Sequence, residues 1–129
     1  MDSSAVEALR QKVATANAAV SSINKFELTQ VRDLPFPPKV VTTTTEAILV
    51  LVGSESTTWP TAQEFLSTND YPAKIAAIDP KNTPKEKLEE LKAKLGKTND
   101  EEVMLAANAS LPLYQAACAY VELGLALHA

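Results

Sequence analysis

Hydrophobic residues recur at alternating gaps of three and four near both ends of the chain. The first repeat consists of Val6, Leu9, Val13, Ala16, Val20 and Ile23. The second consists of Met104, Ala107, Leu111, Tyr114, Cys118, Val121, Leu125 and His128. Such spacing predicts a helix with one apolar stripe, which suits either a bundle core or a coiled coil. Because neither helix is stable alone at its outer end, we expect the two to pair antiparallel and to carry the middle of the chain as a knob.

Several start and stop signals divide the middle of the chain into short helices. Asn24 and Glu27 form a capping box that predicts a helix from Lys25 to about Leu34, and the prolines at 35, 37 and 38 end it. The next stretch, 40–52, is ambiguous. Its four threonines and its β-branched residues favour a strand slightly, but Val41, Thr45, Ile48 and Val52 share one helical face before Gly53.

Three further helices are predicted after this stretch. One opens at Trp59–Pro60 with Thr58 or Trp59 as its cap, and another is capped by Asn69 or Asp70 and ends at Asp79–Pro80. The third is the clearest, with a start signal of cap, proline and glutamate at 83–86 and a stop at Gly96. We expect it to bury Leu88, Leu91 and Leu95 and to pair Glu90 with Lys94.

The last helix is expected to be long, to be capped within 98–102, and to bend at Pro112. The repeat on this helix continues to Ala129 without a stop signal, so we expect the chain to be a segment of a longer protein.

Composition agrees with an all-α fold, because the chain has only three glycines and 5% aromatic residues among its 129 residues. The net charge of −4 does not suggest a nucleic-acid partner. One cysteine cannot form an internal disulfide, which fits a reducing compartment. The start of the chain has no signal-peptide pattern, and the longest apolar run, Ala47–Val52, is too short to span a bilayer, so we expect no membrane partner.

No catalytic or cofactor-binding pattern is present. His128 has no second imidazole or acid near it in sequence, and Cys118 has no nearby cation that would activate it. The chain contains no glycine-rich phosphate loop and no paired metal-ligand motif, so we predict no cofactor and no enzyme activity in this segment.

The order of the motifs resembles the microtubule-binding domain at the tip of a dynein heavy-chain stalk. In that family a heptad helix runs into a short basic helix, a Pro-Pro turn, an "EA…LL.G" helix and a tryptophan after a polar loop. The corresponding segments here are 23–32, Pro37–Pro38, 46–53 and Trp59, and the stretch from Val103 to Pro112 resembles the family's last helix. The similarity extends from about Val6 to Leu127.

This resemblance implies that 40–52 is helical. The implied fold is all-α, a small bundle of about six helices on the end of a short antiparallel coiled coil. Residues 1–23 and 117–129 would be the two stalk helices, and 24–116 the globular domain. The implied function is attachment to the αβ-tubulin lattice with an affinity set by the register of the stalk helices, while the ATPase lies elsewhere in the heavy chain.

The resemblance also implies contact residues for the microtubule. They lie on the first short helix, after the Pro-Pro turn, around the tryptophan and at the start of the last helix: Lys25, Arg32, Lys39, Thr57, Thr58, Glu101 and Leu105. Cations could steer the encounter with acidic tubulin, although Glu27 and Asp33 offset two of them, and a solvated face is the alternative.

The last helix departs from the family pattern, because Leu105 and Gln115 stand at positions that are basic in many relatives, and Ala116 replaces a tryptophan. We therefore expect weaker microtubule affinity than in cytoplasmic dynein, and an axonemal heavy chain of the outer-arm gamma type. In that type a leucine-rich-repeat light chain binds the stalk tip, and Lys85, Glu89 and Lys92 are the candidate docking residues. The expected location is the cytoskeleton, in the axoneme of a cilium or flagellum.

A second hypothesis is a helical protein–protein adaptor or scaffold with a coiled-coil stem. A stalk tip should be monomeric with its ends adjacent, whereas a scaffold would dimerise through exposed heptads.

Overall fold

The computed structural model describes residues 3–129, which form eight α-helices and two short 3-10 turns without a strand. The α-helices are α1 (Ser3–Ser21), α2 (Lys25–Arg32), α3 (Lys39–Val52), α4 (Trp59–Ser67), α5 (Tyr71–Ala76), α6 (Lys85–Leu95), α7 (Asp100–Ala106) and α8 (Leu111–Leu127). The 3-10 turns are η1 (Pro80–Asn82) and η2 (Asn108–Ser110). The predicted all-α class is confirmed, with six helices between the first and the last.

Helices α1 and α8 pack antiparallel along most of their length. Lys12 lies against Glu122 and, further along α1, Asn17 lies against Tyr120, so the two helices run in opposite directions. The buried part of the α1 stripe is Val13, Ala16 and Val20, while Val6, Leu9 and Ile23 are partly buried against the same core.

Helix α8 is the centre of the molecule, because α1, α3, α6, α7 and η1 all pack on it. Its small residues allow this crowding: the side chains of Ala116, Ala117 and Ala119 are almost completely inaccessible. Near the other end of α8, a Cβ atom on Gly124 would stand 2.8 Å from Leu88 Cδ1 and 3.1 Å from the Pro80 carbonyl oxygen. The part of α8 after residue 117 therefore contacts α6 and η1 as well as α1.

Tertiary packing decides the ambiguous stretch in favour of a helix. Half of the fourteen residues of α3 are buried, because α3 packs against α4, α5, α6, α7 and α8. Its threonines satisfy their hydroxyls within the helix, as Thr44 does by donating to the Val40 carbonyl over 2.8 Å. The helix ends at Gly53, whose φ of 83° is readily adopted only by glycine.

The prediction of one long final helix was wrong. Ala107 has an extended backbone, and the chain makes a 3-10 turn before α8 begins at Leu111. Pro112 therefore occupies the first turn of α8, where the missing N–H needs no acceptor, instead of bending a continuous helix. Consequently Met104 and Ala107 are not on the same helix as the rest of the second hydrophobic repeat.

Two predictions for α6 also need correction, although its buried leucines are as expected. Pro84 rather than Thr83 is the N-cap, because the helical backbone begins only at Lys85 and Pro84 still has a ψ of 144°. Lys94 pairs with Glu46 of α3 at 3.1 Å, while Glu90 pairs with Lys87 at 3.5 Å, so the expected Glu90–Lys94 pair does not form.

Candidate functional site

The first part of the candidate site is the exposed side of α2. Asn24 caps this helix by accepting a 3.0 Å hydrogen bond from the Glu27 amide, and Leu28 and Val31 face inward. Lys25 is exposed and takes no part in the ion pairs described for 3–129. Arg32 is partly buried, and its Nε lies 3.1 Å from Asp33 Oδ1, so its charge is partly offset.

Two side chains of α4 fix the end of α2. The indole of Trp59 donates to the Leu34 carbonyl over 2.9 Å, and the Gln63 amide donates to the Arg32 carbonyl over 2.6 Å. Beneath these bonds lies a small second core, separate from the main one, formed by Val31, Val41 and Ala109 with Ile23, Val40, Trp59 and Ala107 around them. This small core joins α2 to the start of α3, where Lys39 is exposed.

The two predicted threonines of the polar loop face different surroundings. Thr58 Oγ1 lies 3.2 Å from Ser56 Oγ and 3.1 Å from Thr61 Oγ1, so hydroxyl bonds hold the loop before α4. Thr57 instead lines a large groove between α3 and α6, together with the Glu46–Lys94 pair. Thr58 therefore belongs to the region around α2 and α4, whereas Thr57 faces the groove between α3 and α6.

Helix α7 carries the remaining predicted contacts. Asn99 caps it by accepting from the Glu102 amide over 2.9 Å, and its first turn is acidic throughout. Glu101 is exposed beside a groove that Ala19 of α1 and Gln115 of α8 also line. The Gln115 amide donates to Asp100 over 3.3 Å, whereas Ala116 is completely buried.

These elements meet at one end of the α1–α8 pair. Helix α2 packs on η2, and α7 packs on both η2 and α3. Between α2 and the end of α7 runs a groove lined by Glu27, Gln30, Val31, Leu34, Ala106, Ala107 and Asn108. The structure thus places α2, with Lys25 and Arg32, beside the end of α7, whereas Glu101 at the start of α7 lines the groove beside α1 and α8.

The predicted docking residues on α6 lie elsewhere. Lys85, Glu89 and Lys92 are exposed, but Leu88 between them packs at Gly124, near the far end of α8. Gly124 follows Leu111 by thirteen residues, which corresponds to about 20 Å along a helix. The start of α6, with Lys85 and Glu89, therefore lies away from α2 and α7, whereas its end reaches the start of α8, where the Tyr114 hydroxyl donates to the Leu95 carbonyl over 3.0 Å.

Exposed apolar side chains concentrate in the α2–α7 region, a feature that the sequence analysis missed except for Leu105. The large hydrophobic residues that are exposed within 3–129 are Phe26 (71%), Phe36 (93%), Met104 (43%) and Leu105 (76%). They belong to α2, the turn after it, and α7. Phe36 could have been noticed, because prolines on both sides of it predict a turn, where no helical face turns its side chain toward a core.

Charge in the same region is negative on balance. Three cations stand there against five carboxylates; the cations are Lys25, Arg32 and Lys39, and the carboxylates belong to Glu27, Asp33, Asp100, Glu101 and Glu102. The region can therefore form apolar contacts and individual charge pairs, but it does not present a continuous basic patch.

Within the described residues there is no group of three or more His, Cys, Asp or Glu that could hold a metal ion. Burial raises the pKa of Cys118, which lines the groove beside Glu101. Among residues 3–129, no helix is both long and apolar enough to cross a membrane.

Comparison with known proteins finds similarity to dynein heavy chains. The chain is 35% identical over 83 residues, 64% of its length, to "Dynein heavy chain, cytoplasmic" of Neurospora crassa. It is 31% identical over 114 residues, 85% of its length, to the protein of the same name from Drosophila melanogaster. It is 30% identical over 102 residues, 76% of its length, to human "Cytoplasmic dynein 2 heavy chain 1". The chain spans 2% of the length of each relative. No family model matches.

Proposed function

Since the chain is homologous to a short part of dynein heavy chains, we propose that it is the microtubule-binding tip of a dynein stalk. The observation that carries this proposal is the antiparallel pairing of α1 with α8. This pairing makes α1 and α8 run in opposite directions, as the two helices of a stalk do, and the region around α2 follows the end of α1. In the proposal 1–23 and 117–129 continue into the stalk, and 24–116 contacts αβ-tubulin.

The proposed contact surface consists of Lys25, Arg32, Lys39, Thr58, Glu101 and Leu105, with Thr57 at its margin. Exposure of Lys25 and Lys39 supports their part in it, because an exposed cation can approach an acidic partner without first breaking an ion pair. The acidic first turn of α7 opposes this attraction, and we therefore infer a weak intrinsic affinity. The segment itself catalyses nothing in this proposal, and the ATPase lies in the rest of the heavy chain.

The finer assignment is an axonemal heavy chain of the outer-arm gamma type, acting on the cytoskeleton of a cilium or flagellum. It rests on Leu105, Gln115 and Ala116, which depart from the pattern of the family that the chain resembles, and not on the relatives given above, whose names describe cytoplasmic heavy chains. A leucine-rich-repeat light chain would dock on α6, where Lys85, Glu89 and Lys92 are exposed and where the start of the helix lies away from the tubulin surface.

Cosedimentation with taxol-stabilised microtubules tests the main proposal. The unmodified chain should pellet with microtubules, and Lys25→Glu combined with Arg32→Glu should abolish pelleting, because two cations of the surface become anions. Lys85→Glu is the matched control: it reverses an exposed charge at the start of α6 and should leave pelleting unchanged when no other partner is present. Circular dichroism of each variant checks that the helices remain.

Two results would contradict the proposal: failure of the unmodified chain to pellet, or equal pelleting of the double variant and the control. Sedimentation equilibrium separates it from the adaptor hypothesis. A stalk tip should remain monomeric, whereas an adaptor would dimerise through its heptads. For an adaptor, the two charge reversals would not change the amount of protein that pellets.

A further inference from the structure

The apolar contacts between α1 and α8 do not define a unique alignment. The α1 stripe repeats every three or four residues, so a slide of about half a heptad moves each stripe residue to the place of its neighbour. Its members are mostly valine, leucine and alanine, which are compatible with one another at such sites. Contacts of another kind must therefore select the register that the structure shows.

One buried polar junction makes such a selection. The Asn17 amide of α1 donates to the Tyr120 hydroxyl of α8 over 2.9 Å, and this hydroxyl donates to the Ile75 carbonyl of α5 over 2.7 Å. A single tyrosine oxygen thus connects three helices. Burial of Tyr120 makes the contact costly to break, because the freed polar groups would lose their partners away from water.

The ion pair between the same helices is a weaker candidate. Lys12 Nζ lies 3.0 Å from Glu122 Oε1, but the lysine side chain is 57% exposed and that of the glutamate 43%. Exposed pairs contribute little, since water and salt screen them. The register therefore depends on Asn17 rather than on Lys12.

We propose that the Asn17–Tyr120–Ile75 junction sets the register of α1 against α8 and communicates it to α5. A slide of four residues would bring Val13 or Ser21 to the place of Asn17. The valine side chain has no hydrogen-bond donor, and the serine hydroxyl reaches less far than the asparagine amide. Either slide therefore breaks the hydrogen bond between α1 and the Tyr120 hydroxyl.

The junction also contains an element that opposes this register. Asn17 Oδ1 is the one buried side-chain polar atom in 3–129 that has no hydrogen-bond partner. An unmatched acceptor disfavours the aligned state, so the junction holds α1 in place while leaving the shifted register within reach. The regulatory meaning of such a shift, control of microtubule affinity, rests on the proposed function.

The single native cysteine allows a direct measurement of register. Cys118 lines a groove with Thr15 and Ala19, which lie one helical turn apart on α1. Thr15→Cys and Ala19→Cys, introduced separately, report by their rates of disulfide formation with Cys118 under a mild oxidant. In the otherwise unmodified chain one reporter should react clearly faster, and Tyr120→Phe should change the ratio of the two rates by about fivefold, as expected for loss of one buried hydrogen bond.

Asn17→Leu provides a second variant, which removes both the donor and the unmatched acceptor and should change the ratio in the same direction. Lys12→Met is the control and should leave the ratio unchanged. Equal rates in the unmodified chain, or a ratio that neither variant changes, would overturn the proposal even if thermal stability falls. Because no microtubule is present, this result is independent of the proposed function; a changed ratio with unchanged pelleting would disprove only the link between register and affinity.

Discussion

The indole nitrogen of Trp59 donates a 2.9 Å hydrogen bond to the Leu34 carbonyl, and this bond joins the start of α4 to the chain just after α2. Leu34 lies beyond the last residue of α2, where a backbone carbonyl has no donor from its own helix. The same tryptophan packs against the small core formed by Val31, Val41 and Ala109. Trp59 therefore holds α2 in position by contact and by hydrogen bonding together.

Trp59→Phe should lower the free energy of unfolding by about 1–3 kcal/mol, because it leaves the Leu34 carbonyl without its partner and reduces packing. Urea denaturation followed by circular dichroism measures the change. Microtubule pelleting should also weaken, since α2 loses one of its two ties to α4. Gln63→Ala, which removes the other tie, should act in the same direction. Unchanged stability of both variants would show that α2 is positioned by other contacts.

Gly124→Ala should destabilise the chain by about 1–3 kcal/mol, because the added Cβ has no room between Leu88 and the Pro80 carbonyl. Thermal denaturation is a sufficient measurement. Leu88→Ala removes the nearest atoms of the clash, so the double variant should lose less stability than the sum of the two single losses. Strict additivity would mean that α6 and α8 do not meet here as the structure shows.

Stability should fall as the pH rises through the ordinary pKa of the thiol and then of the tyrosines. Burial raises the pKa of Cys118 above its usual 9.0, and burial, followed by the neighbouring Cys118, raises the pKa of Tyr114 above its usual 10.0. Burial likewise raises the pKa values of Tyr71 and Tyr120. In alkali the unfolded chain therefore releases protons that the folded chain retains, which favours unfolding.

Urea midpoints between pH 7 and pH 10.5 test this prediction. Tyr114→Phe should be less stable at pH 7, because the hydroxyl lies 3.0 Å from the Leu95 carbonyl and 3.1 Å from that of Thr98. The same variant should lose less stability on going to high pH, since one titrating group is absent. A midpoint that stays constant to pH 10.5 in the unmodified chain would contradict the prediction.

Phe36→Ser and Leu105→Ser should change stability by no more than about 0.5 kcal/mol, because both side chains are mostly exposed. Both should nevertheless weaken microtubule pelleting if the region around α2 and α7 is the contact surface, since exposed apolar groups gain most from burial in an interface. Ala93→Ser on the exposed side of α6 serves as the control. Full pelleting by both variants would exclude these side chains from the contact.

Local signals were sufficient for much of the fold. The Asn24 cap, the prolines after α2 and the glycine after α3 act within a few residues, and the helix boundaries there agree closely with the prediction. The helical state of α3 could not be predicted from local signals, because its strand propensity is overcome by packing on five other helices. The break at Ala107 was missed because the hydrophobic repeat continues across it in sequence.

The candidate site was predictable only in part. The exposure of Lys25 and Lys39 follows from the periodicity of α2 and from the position after the Pro-Pro turn. The separation of Thr57 from Thr58 depends on how α3 and α6 pack, and no local pattern contains that information. The junction of Asn17 with Tyr120 and Ile75 joins residues 103 and 45 positions apart, a relationship that periodicity cannot express.

The crowding around α8 has a consequence for how this sequence can vary. Ala116, Ala117 and Gly124 adjoin neighbouring helices with little free space, so a larger side chain at any of them would force two elements apart. The outward side of α6 has no such restriction. In a scan of all single substitutions, the tolerated fraction of substitutions should therefore be lowest along α8 and should increase with distance from it. The sequence of α8 should accordingly change most slowly among relatives.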